Sequence, residues 1–446
     1  MKYRKIETQT YNLHVIKTKK FKTVTVQVNF KSKVDKEEIT YRNLLINTLC
    51  LACKKYPTKR MMEIATEDLY ELTYQATNYI SGKYNVMCFD ITFLNDEYTE
   101  DGNFEASLDF LCELLFNPLT ETTHTATKFK KSTFDLACKT LEDNIKTVKE
   151  NPALYSRMRL FEIMSPNSIH SYRSCGTLED LNKITSTKLY EYYLNMLKKD
   201  ILDIFVIGNV SEPMVRKAIS DRIKIRTIKK RSESHFISMK RTRLLPKTVV
   251  EKQDISQSQL ALGFKLDRTS DFEKRYVLNV FSYILGGGPD SMLFKDVREK
   301  HSMCYSISSS GVPLQNAMII TAGISACNFK RAVSLIKKNL KSMQQGNFSN
   351  DDIMKAKITY MNSIKELEDN PQNLLSLYTG MEYLKSDNID NRIKKISKVR
   401  KKDVMKLASK IHLDVIYFLQ GGEDNEINRT NKLFTKTYRS KRNTRY

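Results

Sequence analysis

The chain contains no run of eighteen apolar residues, so no transmembrane helix is expected. Its first residues, Met-Lys-Tyr-Arg-Lys-Ile-Glu-Thr, carry charge but no apolar core, so no secretory signal is expected either. Histidine is scarce and scattered. The six lie at 14, 124, 170, 235, 301 and 412, and the nearest two are forty-six residues apart. Two metal-binding histidines on neighbouring turns of one helix are therefore impossible. Cysteines at 50, 53, 88, 112, 138, 175, 304 and 327 form no spaced pairs of pairs. They fit buried thiols of a reducing cytoplasm better than a disulfide framework. Cys50 and Cys53 have C-x-x-C spacing, but inside an apolar helical pattern with no second pair to complete a zinc site.

What is present is ample for folding. An apolar share of 41% over 446 residues supports two to three domains. The net charge of +23 is distributed along the whole chain, and no RNA- or DNA-binding motif accompanies it. Lysine-rich solvated helix faces account for it without a nucleic-acid partner. The densest basic stretch, 222–247, looks like a linker.

Periodicity gives the element order. Residues 21–30 alternate as a half-buried strand, and 37–55 place Leu45, Leu49, Ala52 and Cys53 on one helical face. Helices are expected over 59–70, 103–116, 125–150 and 152–164, and strands over 83–94 and 202–208. The order then repeats, with strands at 258–266, 316–325 and 413–419 and helices at 272–285, 329–344 and 350–369. Asn370-Pro371 answers Asn151-Pro152, and Leu413-Asp-Val-Ile answers Leu202-Asp-Ile-Phe, at offsets of 219 and 211 residues. Two landmarks in order argue for a duplicated chain. The expectation is an α+β fold of two homologous halves, 1–215 and 249–446, joined by a basic linker at 216–248. Each half should be a mainly antiparallel sheet with helices packed on one face.

One segment stands apart: Leu285-Gly-Gly-Gly-Pro-Asp-Ser-Met-Leu-Phe-Lys-Asp-Val-Arg-Glu-Lys-His-Ser-Met-Cys-Tyr305. A helix precedes the glycines and Pro-Asp follows, which excludes a P-loop. Gly286, Gly287 and Gly288 serve either a helix end or close backbone approach to an extended peptide, since glycine has no Cβ to obstruct it. Asp290 or Ser291 could cap the next helix. Arg298 and Tyr305 can donate hydrogen bonds to a peptide carbonyl. The plainer alternative pairs Arg298 with Asp296 or Glu299 and buries Tyr305 in the core.

Leu285-Gly-Gly-Gly288, Leu293-Phe294, Val297-Arg-Glu-Lys300 and Tyr305-Ser306 resemble the C-terminal-half signature of the insulinase/pitrilysin-type zinc peptidases, which include the mitochondrial processing peptidases. That family places His-x-x-Glu-His on a first-half helix. Here the corresponding helix reads Arg42-Asn-Leu-Leu-Ile-Asn-Thr-Leu-Cys-Leu-Ala-Cys53, with leucines and isoleucine where ligands would lie. Lys54-Lys-Tyr-Pro57 and Asp68-Leu-Tyr70 are similar to the zinc-less member of bacterial peptidase pairs, some associated with elongation-factor-P modification. The resemblance implies a subunit with no metal or catalytic residues of its own. Arg298, Tyr305 and Gly286, Gly287 and Gly288 would hold a peptide substrate against the zinc of a paralogous partner, as a cytoplasmic heterodimer. A scaffold on the same fold, with no proteolytic role, is the other reading.

Overall fold

The computed structural model describes residues 1–124, 126–224, 235, 237–239 and 243–421. Its strands are β1 (Lys2–Glu7), β2 (Tyr11–Lys17), β3 (Thr23–Lys33), β4 (Thr73–Ser81), β5 (Tyr84–Leu94), β6 (Thr120–Thr122), β7 (Thr127–Phe129), β8 (Ile201–Gly208), β9 (Lys247–Lys252), β10 (Ser258–Leu266), β11 (Cys304–Val312), β12 (Ala317–Ile324) and β13 (Ile411–Gln420). Helices α1 (Lys36–Leu51), α2 (Lys59–Glu67), α3 (Asn103–Phe116), α4 (Lys131–Glu150), α5 (Pro152–Met164), α6 (Leu178–Leu181), α7 (Ser186–Lys199) and α8 (Glu212–Arg222) precede β9. Helices α9 (Leu278–Gly286), α10 (Phe329–Gln344), α11 (Asn350–Glu366), α12 (Pro371–Leu384), α13 (Ile389–Ser397) and α14 (Lys401–Ala408) follow it.

The two principal sheets have one topology. The first runs β1-β2-β8-β3-β5-β4 and the second β11-β12-β10-β13-β9. Reading β9, β13, β10, β12 and β11 as counterparts of β2, β8, β3, β5 and β4 reproduces every neighbour. In both, the β2/β8 and β9/β13 pairs are parallel and the other shared pairs antiparallel. The mainly antiparallel α+β halves expected from the sequence are therefore present. One face of the first sheet carries the main core, built from Val24, Val26, Val28, Leu45, Leu49, Phe104, Leu111 and Leu189 among others. The corresponding face of the second packs Leu260, Leu262, Phe264, Phe281, Leu285 and Ile336.

The compact units are not the continuous stretches 1–215 and 249–446, because two helices are exchanged. One unit comprises 1–147, 172–236 and 363–389, and the other 148–171, 237–362 and 390–446. Helix α5 joins the second sheet, where Leu160 and Met164 pack with Ala261, Val415 and Tyr417. Helix α12 joins the first, where Leu374, Leu375 and Tyr383 pack with Ile16, Phe205 and Ile207. Both start the same way. Asn151 Oδ1 accepts the Leu154 amide at 3.1 Å, and Asn370 Oδ1 the Gln372 amide at 2.8 Å, with proline at the first helical position. Each sheet thus has several helices on one face and an exchanged helix on the other.

Several boundaries differ from the periodic reading. Helix α1 stops at Leu51 because Ala52 is fully extended, which puts Cys53 outside it. Helix α2 stops short of 70, where Tyr70 and Glu71 take positive φ. Residues 127–129 pair with 120–122 as a small ribbon, so α4 begins only at Lys131. The expected linker at 216–248 is helical as far as Arg222 and enters β9 at Lys247. Its stretches 225–234, 236 and 240–242, including the Lys-Lys-Arg cluster, lie outside the described residues. No helix among the described residues is long and apolar enough to cross a membrane.

Candidate functional site

The glycine segment lies at the C-terminus of α9. Gly286 is buried, and a Cβ there would stand 2.8 Å from the Ser309 amide nitrogen and 2.9 Å from its Cβ. Glycine at this position lets α9 approach β11. A Cβ on Gly287 would meet Tyr283 Cα at 2.5 Å, whereas one on Gly288 would meet nothing within 4 Å. None of the three has a positive φ. Two of the glycines are therefore required by the chain's own packing, and Gly288 alone stands open. Ser291 does not cap the next helix. Its amide and hydroxyl both donate to the Gly288 carbonyl, at 3.0 and 2.6 Å, while Asp290 pairs with Lys295 at 3.4 Å.

The expected amphipathic helix after the glycines winds instead as a wide π-type segment over Phe294–Lys300, anchored by buried Leu293 and Val297. A second π-type segment, Glu273–Val277, leads into α9. Such segments occur mostly as brief interruptions and often at functional sites. Within the first, the Arg298 guanidinium lies 4.4 Å from the Phe294 ring centroid and 5.7 Å from that of Tyr305. Asp296 is engaged elsewhere, accepting from Asn339 Nδ2 at 2.8 Å and lying 3.4 Å from His301. Among the described residues no carboxylate pairs with Arg298. The chain then enters β11, the edge strand of its sheet, through a register shift between Cys304 and Ser306. This bulge falls on Tyr305, and a bulge re-aims the side chain it carries. Tyr305 is 76% exposed. The geometry brings Arg298 and Tyr305 together and removes both plainer alternatives, the local ion pair and the core aromatic.

The first-half helix α1 has a different character. Asn43-Leu-Leu-Ile-Asn47 repeats the spacing of His-x-x-Glu-His with amides for the histidines and isoleucine for the glutamate. Reading for ligand residue types passes over it, and reading for spacing finds it. Asn43 Nδ2 donates to the Ile39 and Ser174 carbonyls at 2.8 Å each, and Ile46 is buried. Zinc sites use thiolate, imidazole or carboxylate, and a neutral amide supplies none of these. Among the described residues no group of three or more His, Cys, Asp or Glu side chains is arranged to hold a metal ion. One residue before Asn43, Arg42 is fully buried and donates to Asp200 Oδ2 at 2.5 Å and to Ser32 Oγ at 2.6 Å. Beside them is a cavity of about 750 Å³ whose lining mixes Lys31, Lys33 and Lys199 with Asp35, Glu38 and Asp200. Cys50 is held as a neutral thiol, pushed up to about 12 by burial, so the C-x-x-C pair is not a reactive thiolate.

The described histidines do not converge. His14 lies between β1 and Phe205, with Nδ1 2.8 Å from the Tyr3 hydroxyl and its ring stacked on Phe205 at 4.1 Å. His235 is stacked between Tyr84 and Tyr383 at 4.4 and 4.5 Å. Burial lowers them to about 4 and about 3.

The family description "Peptidase M16 inactive domain" matches residues 183–360, which include the glycine segment, Arg298 and Tyr305. A Bacillus subtilis protein, YmfF, described as a probable inactive metalloprotease, is 30% identical over 415 residues, covering 92% of this chain and 96% of that one. A crystal structure of a conserved protein from Enterococcus faecalis superposes with a TM-score of 0.88 at 26% identity, over 95% of this chain and all of the other. That of a peptidase M16 inactive domain from Pseudomonas fluorescens shares the fold, with a TM-score of 0.76 at 13% identity over 95% and 99% of the two chains. With similarity over nearly the full length of both chains, the chain belongs to the M16 peptidase family, and its sequence holds no His-x-x-Glu-His.

Proposed function

We propose that the chain is the non-catalytic, peptide-holding subunit of a heteromeric zinc peptidase, acting beside a His-x-x-Glu-His paralogue that supplies the metal. The observation that carries this reading is Arg298. Its charge has no carboxylate partner among the described residues and is held in place by two aromatic rings, one of them the exposed Tyr305. Arginine keeps its charge at every working pH, and stacking on rings restricts it without neutralising it. A guanidinium and a phenol so placed can donate hydrogen bonds to a peptide carbonyl. When water on the partner's zinc attacks that carbonyl, negative charge develops on its oxygen and both donors stabilise it. The exposed backbone of edge strand β11 and the open Gly288 supply room for an extended peptide alongside. The reading places the pair in the cytoplasm.

Co-expression with such a paralogue, followed by peptide-cleavage kinetics on the purified complex, tests the assignment. Loss of one donor to a developing oxyanion costs ~10²–10³ in kcat. Arg298→Ala is expected to approach that loss, and Tyr305→Phe to give a smaller one. Unchanged cleavage in both variants removes the assigned roles. Absence of cleavage with the unaltered chain favours the scaffold reading.

A further inference from the structure

A second cavity, of about 440 Å³, lies in the first unit between the sheet and the exchanged helix α12. Its floor is a row of side chains crossing three strands. Asp90 on β5 is paired in register with Gln27 on β3 and Gln75 on β4. Its wall is one face of α12, where Gln372, Ser376, Thr379 and Gly380 recur at helical spacing. The small residues on that face leave the space open. A Cβ at Gly380 would meet only Ser386 Oγ, at 3.3 Å.

Asp90 is the one charged group lining this cavity. It is 7% exposed, and among the described residues no lysine, arginine or histidine neutralises it. Its hydrogen bonds come from neutral donors, Gln27, Gln75 and Cys88, the last two at 3.4 Å. Burial pushes its carboxyl up from the usual carboxylate range. Elsewhere in these units buried carboxylates meet a cation. Asp203 meets Lys31 at 2.9 Å, Asp200 meets Arg42 at 2.5 Å, and Asp414 meets Arg243 at 2.9 Å. In a chain of net charge +23, a buried carboxylate facing an open cavity without such a partner marks a position where a cation from outside would be stabilised. Around it, glutamine, serine and threonine side chains offer further acceptors, while Tyr79 and Tyr383 flank an alkyl stem.

We propose that this cavity receives a lysine or arginine side chain of a bound peptide, whose cation pairs with Asp90. That the cation belongs to a peptide rests on the function proposed above. That the cavity takes a cation rests on Asp90 alone. The occupant would make the chain selective for basic residues, apart from any role of Arg298 and Tyr305.

The test uses the full single chain without a partner, and fluorescence anisotropy of three labelled octapeptides. These are identical except for one central residue, lysine, arginine or norleucine. The lysine and arginine peptides are expected to bind at least about tenfold more tightly than the norleucine peptide. Asp90→Asn, close to isosteric, should bring the three within about twofold, as should Ser376→Leu, which fills the cavity from the helix side. Arg298→Ala should leave the preference intact. Equal binding of the lysine and norleucine peptides, or a preference that survives both cavity variants, overturns the proposal. A lysine preference without cleavage in any complex would sink the proposed function and leave the pocket standing. Cleavage sensitive to Arg298 without that preference would do the reverse.

Discussion

The two units are copies of one topology that have diverged at equivalent places. Each central strand leads to a helix. After β3 comes α1, a regular helix of 16 residues that closes its C-terminus in extended backbone. After β10 come a π-type segment and α9, which ends in glycine. The first copy has Asn43, Ile46 and Asn47 at the spacing of His-x-x-Glu-His. The second has an exposed tyrosine on a bulge and an arginine without a counter-ion among the described residues. What both copies retain is a buried lysine–aspartate pair between the strands: Lys31–Asp203 in the first sheet and Lys265–Asp414 in the second. Each lysine is tied to its exchanged helix. Lys31 Nζ lies 3.9 Å from the Tyr383 ring centroid, and Lys265 Nζ donates to the Met164 carbonyl at 2.7 Å. The two copies share the device that holds a helix and differ at α1 and the glycine segment.

The strongest way to break this parallel is to remove the aspartates. Asp203→Ala leaves Lys31, whose side chain is fully buried, without its carboxylate, a change that costs about 3–5 kcal/mol. Asp414→Ala is expected to cost less, because Arg243 is partly exposed and can rehydrate while Lys265 keeps the Met164 carbonyl. Hydrogen exchange resolved by strand, with β3 and β8 against β10 and β13, measures both. Equal losses in the two variants would contradict the argument.

Acid should separate the units next. Burial holds His14 and His235 below the ordinary imidazole value, so the unfolded chain binds protons that the folded unit does not. Their contribution is complete above about pH 6.5 and is lost as the pH falls from there toward about 4. In the second unit burial lowers His170. On acidification, exchange in β3, β5 and β8 should rise before that in β10, β12 and β13. The opposite order would show that other groups govern acid stability.

The glycine segment offers a contrast within one loop. Gly286→Ala drives a Cβ into Ser309 and is expected to cost about 1–3 kcal/mol, read as a lower unfolding temperature. Gly288→Ala meets nothing and should leave stability within about 0.5 kcal/mol. Any loss of peptide affinity in Gly288→Ala then belongs to the open loop rather than to folding.

The smallest effects sharpen the symmetry of the exchanged helices. Asn151→Ala and Asn370→Ala each remove a cap and should cost about 1 kcal/mol. Closely similar values in chemical denaturation are the expected result. A difference well beyond that size would show that one helix is held chiefly by its cap and the other by its packing.

Much of this was legible in one dimension. The alternation of 83–94 and 258–266 marked strands, because successive side chains of a strand point to opposite faces and apolar residues of one face fall two apart. Asn-Pro at 151 and 370 marked two helix starts. The edge strands β1, β4 and β9 were harder to read, since a strand exposed along one side needs less apolar character. At the candidate site, the order of residues identified the segment from 285 to 305, and its chemistry followed from residue types. The environment of Arg298 did not, because Asp296 and Glu299 are nearer to it in sequence than Phe294 and Tyr305.

The sequence by itself determined that no His-x-x-Glu-His is present, that the chain is a duplication, and which face of each helix is apolar. Periodicity carries that much because it reports on an element's own surface. Only the tertiary structure decided which sheet α5 and α12 would cover, for an apolar face does not name its partner. Tertiary structure also decided that a bulge would turn Tyr305 outward and that Asp90 would be buried without a cation among the described residues. Those outcomes depend on distances between residues far apart in the chain, and no local pattern records them.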